Sequence, residues 1–392
     1  MNRTGYSKFF RKMPLALTIA VCALGGMTAH ADTDWMILPH ASESRRMLLH
    51  ALRDNSKPIS TDVWMDKKGK IPSLRIGNAK SNYVVAGTNA CGVTVISSYG
   101  DRTSDKAPKA SKHNYTLPSS VHLILRSCKT AEQGVNLLRD GSRKKLIAST
   151  MILMIADANR AFVVECAPWH LATCELTSGF CVYANAWKLP NMTTASLRSA
   201  NSRAWAVQRE WTVAELLRRA RKSGGTVSVA ETLAASRVGP AEINAKPFEA
   251  ARDKRPVNNT PAIKTSADGF LFEIDREFPG VLSCAYVSFG PQRHTAYLPI
   301  PIGAAEKIPA ELTPNPWKTA ALARNKAAKP DTPFNVNIIA FENRLLADFA
   351  KKREEARALL RDRKTAEAKQ LLQENLQQQA TELNNFLKTL GN

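Results

Sequence analysis

The 392-residue sequence contains no Cys-x-x-Cys pair and no histidine spacing of zinc-site type, so a metal centre is not expected, and no phrase calls for a cofactor. Its leading apolar stretch, Pro14 to Leu24, falls short of the about 20 residues that a membrane-crossing helix needs, which argues against an anchor. Acidic residues are scarce, 34 against 55 Lys and Arg, giving a formal charge of +21. The basic clusters (Lys67-Lys68, Arg143-Lys144-Lys145, Arg218-Arg219 with Arg221-Lys222, and Lys254-Arg255) lack interleaved aromatics and match no nucleic-acid module, so nucleic acid is not an expected partner. Two readings of these clusters stay open: a solvated basic face, or adhesion to an anionic polymer, an acidic glycan or a membrane surface. There is no repeat of solenoid type, and Gly and Pro are absent from Phe334 to Leu390.

What is present begins with a leader. Arg3, Lys8, Arg11 and Lys12 form a basic start, Pro14 to Leu24 the apolar segment, and Ala29-His30-Ala31 a small-residue cleavage signal. The bulky Val21 before Cys22 speaks against lipoprotein processing. Residues 1–31 therefore read as a signal peptide, Asp32 as the first mature residue, and the protein as periplasmic or secreted. Removing the four leader cations takes the charge from +21 to +17. Six cysteines remain, Cys91, Cys128, Cys166, Cys174, Cys181 and Cys284, an even number that suits disulfides in an oxidising compartment. Cys174 and Cys181, on either side of a turn at Thr177-Ser178, are expected to face each other on neighbouring strands and to be bonded. Cys91, in a turn, reads as a disulfide partner rather than a nucleophile paired with His113 or His122. His170 and His294 flank strands, where a structural histidine is the commoner case.

Tyr83 to Ala86 and Val93 to Ser98 flank a turn at Asn89-Ala90-Cys91-Gly92 and predict a hairpin. Thr150 to Ala156, Ala161 to Glu165, His170 to Leu176 and Phe180 to Ala184, each joined by a short turn, extend this into an antiparallel meander. Capping pairs Thr130 with Gln133, Thr212 with Glu215 and Ser228 with Glu231 mark helix starts. Arg252 to Ala267 reads as a loop, and strands return at Phe270 to Ile274, Val281 to Phe289 and Thr295 to Pro299. The leucines at helical spacing between Phe334 and Leu390, interrupted at Arg361-Asp362-Arg363-Lys364, predict a helical hairpin ending at Gly391.

Several phrases in series resemble the N-terminal-nucleophile amide hydrolases, the group containing choloylglycine hydrolases, isopenicillin N acyltransferase and the cysteine-type secreted dipeptidases. Asp32-Thr33-Asp34-Trp35-Met36-Ile37-Leu38-Pro39 stands where that family opens with Cys-Thr and a strand. Leu48 to Asn55 is similar to its second strand, Asn89-Ala90-Cys91-Gly92-Val93 to its Asn-Glu-x-Gly turn, and Glu165-Cys166-Ala167-Pro168 followed by Ala184-Asn185-Ala186-Trp187 to the phrase carrying its oxyanion asparagine. Asn201-Ser202-Arg203 resembles a helix start of the family. Phe289-Gly290-Pro291 and Tyr297 to Gly303 resemble its last core strands. The resemblance covers most of the mature chain and implies an α+β fold, a four-layer αββα sandwich, over residues 32–333, with the helical hairpin of 334–392 packed upon it.

The chemistry that the resemblance implies stores nucleophile and base on one residue: a free α-amine, with a pKa of about 8, takes the proton of its own side chain. A cysteine does this well. Here Asp32 holds that place, and a carboxylate attacking an amide would pass through an anhydride. Thr33 becomes the nucleophile only if Asp32 is lost. Ala51, Leu52, Ala90 and Ala186 replace further polar residues of the family. What survives is Asp54, to hold the amine, Asn185, to donate to an oxyanion, and Arg53, Asn89 and Arg203 as substrate-facing groups. Asp54 and Asn185 equally suit turn and strand-end roles, and Arg203 a surface one. The implied substrate is a small-molecule amide or a short peptide; the alternative is a catalytically impaired relative that binds a ligand or an anionic polymer.

Overall fold

The computed structural model describes residues 32–54, 61–109, 111, 113–239, 242, 260–262, 266–312, 316–329 and 334–390, with only the backbone at 200–205, 316–317 and 319. The leader, Lys254-Arg255, most of the loop at 252–267 and the end at Gly391 lie outside them. Two antiparallel sheets form the centre. The first joins β10 (Phe180–Tyr183), β1 (Thr33–Ile37), β2 (Met47–Asp54), β11 (Ser266–Ile274), β12 (Cys284–Ser288) and β13 (Tyr297–Pro301), in that order. The second is a seven-stranded meander of β3 (Asp62–Asp66), β4 (Ser73–Asn78), β5 (Tyr83–Asn89), β6 (Thr94–Tyr99), β7 (Met151–Ala156), β8 (Ala161–Ala167) and β9 (His170–Glu175). The helices of the argument are α1 (Leu117–Ser127), α2 (Ala131–Arg143), α3 (Ala200–Gly224), α4 (Val229–Ala235), α5 (Pro316–Ala327), α6 (Val336–Arg361) and α7 (Thr365–Thr389).

The sheets meet face to face through β1, β2 and β6. On the outer side of the second sheet lie α1 and α2; α3 covers β10, and α6 and α7 cover β13. This is the four-layer α+β sandwich that the sequence predicts. Strand β7, Met-Ile-Leu-Met-Ile-Ala, is buried along its whole length because helices cover one face and the first sheet the other. Helix α1 buries Leu117, Val121, Ile124 and Leu125, one stripe of a 3.6-residue period, and starts with a complete capping box between Thr116 and Ser119.

The hairpin turn at residues 89–92 and the turn at Asp157 form as expected. Asp157 Oδ1 accepts from the Asn159 and Arg160 amides at 2.8 and 2.9 Å, while its other oxygen accepts from the Ala131 amide at the start of α2. The final hairpin breaks at Asp362 to Lys364, where Arg363 has φ +63.

Four readings are corrected. Strand β10 leaves the meander and pairs with β1 of the other sheet, Cys181 opposite Met36. Cys174 and Cys181 therefore do not share a strand pair, and all six cysteines are free thiols. Thr212 starts no helix: it lies inside α3, where its hydroxyl donates to the Gln208 carbonyl at 2.9 Å, a back-bond that a mid-helix threonine can make. The expected strand at Val281 begins only at Cys284, after a single turn over Pro279–Leu282. Strands β3 and β4 went unread because Lys and Gly interrupt the apolar pattern around them.

The charged stripe of α6 explains how the last hairpin docks. Glu342, Arg353 and Arg357 occupy buried positions of that helix alongside Leu345 and Phe349. Each meets an opposite charge: Arg237 holds Glu342, Glu273 holds Arg353, and Asp275 holds Arg357. Among the described residues no helix is long and apolar enough to cross a membrane.

Candidate functional site

Alternation along β1 sends its side chains to opposite faces. Asp34 points to the second sheet, toward Ser98 of β6. Trp35 points to the helical side and stacks on His50 at 3.8 Å, and His50 in turn lies 3.1 Å from the Tyr297 hydroxyl. Thr33 shares the face of Trp35, and its hydroxyl is fully buried with no hydrogen-bond partner. Asp32 and Thr33, the two candidate nucleophiles, thus project in opposite directions.

The carboxylate of Asp32 is held at both oxygens. Oδ1 accepts from the Asp54 amide at 3.1 Å, and Oδ2 stands 3.2 Å from Arg53 Nη1. The same Arg53 nitrogen donates to the Ser97 carbonyl at 2.6 Å, tying β2 to β6. Asp54 in turn meets Arg209 of α3, Nη1 to Oδ2 at 3.2 Å, and accepts from Ser266 of β11 at 2.9 Å. Behind them Lys318 of α5 pairs with Asp268 at 3.0 Å, and Thr61 bonds the same carboxylate. With Asp34, the cluster is an inward-facing network of aspartates held by Arg53 and Arg209, set where β1 and β11 begin and β2 ends.

Burial dominates its electrostatics. Desolvation first and the charge of Asp32 second push the Asp34 carboxyl up to about 7. Desolvation lifts Asp54 to about 8, against the pull of Arg209 and with a push from Asp32. Carboxyls that titrate near neutrality can exchange protons with a bound substrate or water.

The effect on stability has a definite sign. A carboxyl raised in the folded state stabilises fully below its unfolded value of about 3.8 and loses that contribution as pH climbs to about 7. Asp34→Asn removes this titration. It is expected to leave stability near pH 4 almost unchanged and to flatten the fall between pH 4 and pH 7, read as urea midpoints across pH; an unchanged slope would show that Asp34 does not carry it.

Asn185 has φ +59, a left-handed conformation that asparagine tolerates. Its Nδ2 donates to the Tyr99 carbonyl at 2.9 Å, and its buried Oδ1 has no protein donor. Tyr99 bonds Tyr83 at 2.9 Å, and Tyr83 feels the charges of Arg53 and Asp32, so Asn185 belongs to the same end of the sandwich. Glu165 secures that loop by accepting from the Lys188 and Leu189 amides at 2.7 and 3.1 Å.

Asn89 is not part of the site. Its Oδ1 accepts from the Cys91 and Val93 amides, both at 3.0 Å, and its Nδ2 donates to the Leu125 and Cys128 carbonyls at 2.9 and 2.8 Å. Turn and helix end consume every bond it can make, which corrects the substrate-facing role assigned to it. Asn89→Ala is expected to cost about 2–3 kcal/mol, since buried backbone groups lose partners, read as a lowered denaturation midpoint; a loss under about 0.5 kcal/mol would contradict this. The Arg203 side chain lies outside the described residues.

Arg209, Asp34 and Ser266 escaped the sequence reading. Asp32 and Asp34 at a spacing of two in a strand were a legible signal of one shared face. Arg209 is visible only as a charge inside a helix, and nothing local ties it to Asp54. The basic clusters are partly neutralised: Lys67 meets Glu306, Arg143 meets Asp140, and Arg218 and Arg219 meet Glu215, while Lys145 lies 5.3 Å over the exposed Trp169 ring. Among the described residues no three His, Cys, Asp or Glu side chains are placed to hold a metal ion.

No protein-family model and no curated protein matches the chain. Among solved structures it is similar to penicillin V acylase from Agrobacterium tumefaciens, at 13% identity and TM-score 0.42 over 69% of this chain and 86% of that one. It is also similar to a variant of the conjugated bile acid hydrolase from Clostridium perfringens, at 10% identity and TM-score 0.43 over 69% and 92%. A third similar structure is an N-acylethanolamine-hydrolyzing acid amidase ortholog from Caenorhabditis elegans, at 11% identity and TM-score 0.38 over 64% and 93%.

Proposed function

We propose that this protein is an exported relative of the N-terminal-nucleophile amide hydrolases that binds an acyl-amide or short peptide and is impaired in cleaving it covalently. The observation that carries the reading is the double restraint on Asp32: a carboxylate in an ion pair with Arg53 and bonded to the Asp54 amide is a weak nucleophile in the place where the chemistry wants a thiol. Thr33 does not substitute for it, because its hydroxyl lies on the opposite face. The leader supports export to the periplasm or beyond.

A second reading, a working amidase, draws on the raised carboxyls of Asp34 and Asp54, which suit a general acid and base acting on water. The experiment that separates the two incubates the mature protein with a panel of N-acyl amino acids and dipeptides, following binding by calorimetry and amine release by mass spectrometry. Binding without release is expected. Steady release that Asp54→Asn abolishes establishes the second reading instead.

A further inference from the structure

A second set of chemistry-bearing side chains lies on the far side of the molecule, where α1 covers the second sheet. Arg75 of β4 is buried, pairs with Asp66 of β3 at 2.5 Å and donates from Nε to Ser73 Oγ at 3.0 Å. Its Nη1 stands 2.7 Å from His122 Nδ1. A guanidinium has donors only, so Nδ1 must carry the lone pair and the imidazole of His122 must carry its hydrogen on Nε2. Burial, with Arg75 and Arg126 adding to it, holds the His122 pKa below its ordinary value and keeps the ring neutral.

One helical turn on, Arg126 Nη1 lies 3.4 Å from that same Nε2. Two groups that can only donate therefore stand side by side. The acid that His122 feels, Asp66, is already held by Arg75, and among the described residues no carboxylate pairs with Arg126. His122 lines a cleft of about 540 Å³, whose walls offer Tyr115, Leu123 and Leu146 as apolar surface and Asn82 and Asn114 as polar groups, while Arg126 stands outside those walls, beside the His122 ring. That volume suits a small molecule.

We propose that this cleft is a ligand site for a small ring compound carrying one oxyanion, a carboxylate or a phosphate. The oxyanion accepts from His122 Nε2 and the Arg126 guanidinium while the ring lies against Tyr115 and Leu146. An oxygen with lone pairs toward both donors resolves the donor-to-donor contact, and the bond to a guanidinium is of the charge-assisted, stronger kind. The site lies on the helix-covered face of the second sheet and does not depend on the reading of the Asp32 cluster.

The test uses phenyl phosphate, benzoate and inorganic phosphate as probes on the full mature chain, read in histidine-selective proton–nitrogen spectra and by calorimetry. The free protein is expected to show His122 protonated at Nε2. Phenyl phosphate or benzoate is expected to shift that resonance and to bind more tightly than inorganic phosphate, and the tighter of the two assigns the oxyanion class. Arg126→Gln, an exposed change that leaves the buried Arg75 network intact, should weaken the tighter probe about tenfold, the loss of one charge-assisted bond. The proposal fails if none of the probes moves the His122 resonance, or if Arg126→Gln leaves the affinity unchanged.

Discussion

Asp32→Cys is expected to raise hydrolysis of acyl-amides or short peptides measurably above that of the unchanged protein. The gain follows from the groups already around residue 32. Arg53 Nη1, 3.2 Å from the Asp32 carboxylate, would stand beside the new sulfur and favour its thiolate, and the Asp54 amide adds a donor. With residue 32 as the first mature residue, as proposed, its α-amine supplies the base. Rescue should be partial. Ala51, Leu52 and Ala90 stand where the family has polar groups, and one Asn185 Nδ2 bond goes to the Tyr99 carbonyl. A rise of about 100-fold over background is the scale expected from supplying one missing catalytic group to an otherwise assembled site. Product release from N-acyl amino acids is the measurement, and a variant that folds but shows no gain would mean that the pocket no longer admits such substrates.

The second large effect concerns the ion pair between Arg237 and Glu342, which fastens α6 to the segment that follows α4. Both side chains are about 98% or more removed from water, and the pair is bidentate, with Nη1 to Oε1 at 2.9 Å. Glu342 also accepts from the Tyr297 amide at 2.6 Å, while Arg237 donates to the Gln292 carbonyl at 2.7 Å and lies 5.1 Å over the Tyr297 ring. Breaking such a pair from one side leaves a buried charge without compensation. Arg237→Met should therefore cost about 3–5 kcal/mol, seen as a fall in the urea midpoint. Arg237→Met combined with Glu342→Leu should recover much of that loss, because replacing both charges with apolar groups removes the desolvation cost along with the attraction. Equal destabilisation in the single and double variants would mean that packing of the arginine stem, not its charge, is what matters.

How far the sequence reaches is set by the range of the interactions. Hairpins at residues 89–92 and 157–160 are legible because Asn89 and Asp157 bond the turn amides next to them, and the start of α4 because Ser228 and Glu231 bond each other's amides. The final helical hairpin is legible from its leucine spacing and its break at residues 362–364. Strand β10 is not: the turn before it looks like any hairpin turn, and only the vacant edge of β1, far away in sequence, decides which sheet it joins. The same distinction runs through the site. Asp32, Arg53 and Asp54 come together because β1 and β2 are neighbours in sequence and pair directly. Arg209 reaches Asp54 across 155 positions, and Ser266 across 212, so neither could be assigned from local pattern. Asn89 misled in the opposite way, since a side chain saturated by its own turn looks in sequence like one available to a ligand.

On the reading proposed above, residue 32 forms no covalent acyl intermediate and Thr33 does not take its place. Intact mass spectrometry of the mature protein, after incubation with an excess of an activated acyl ester, tests it most directly. One species beginning at Asp32 with no added acyl mass is expected, alongside an acylated Asp32→Cys variant. A mature chain beginning at Thr33 that gains one acyl group, and loses that gain in Thr33→Ala, would contradict it.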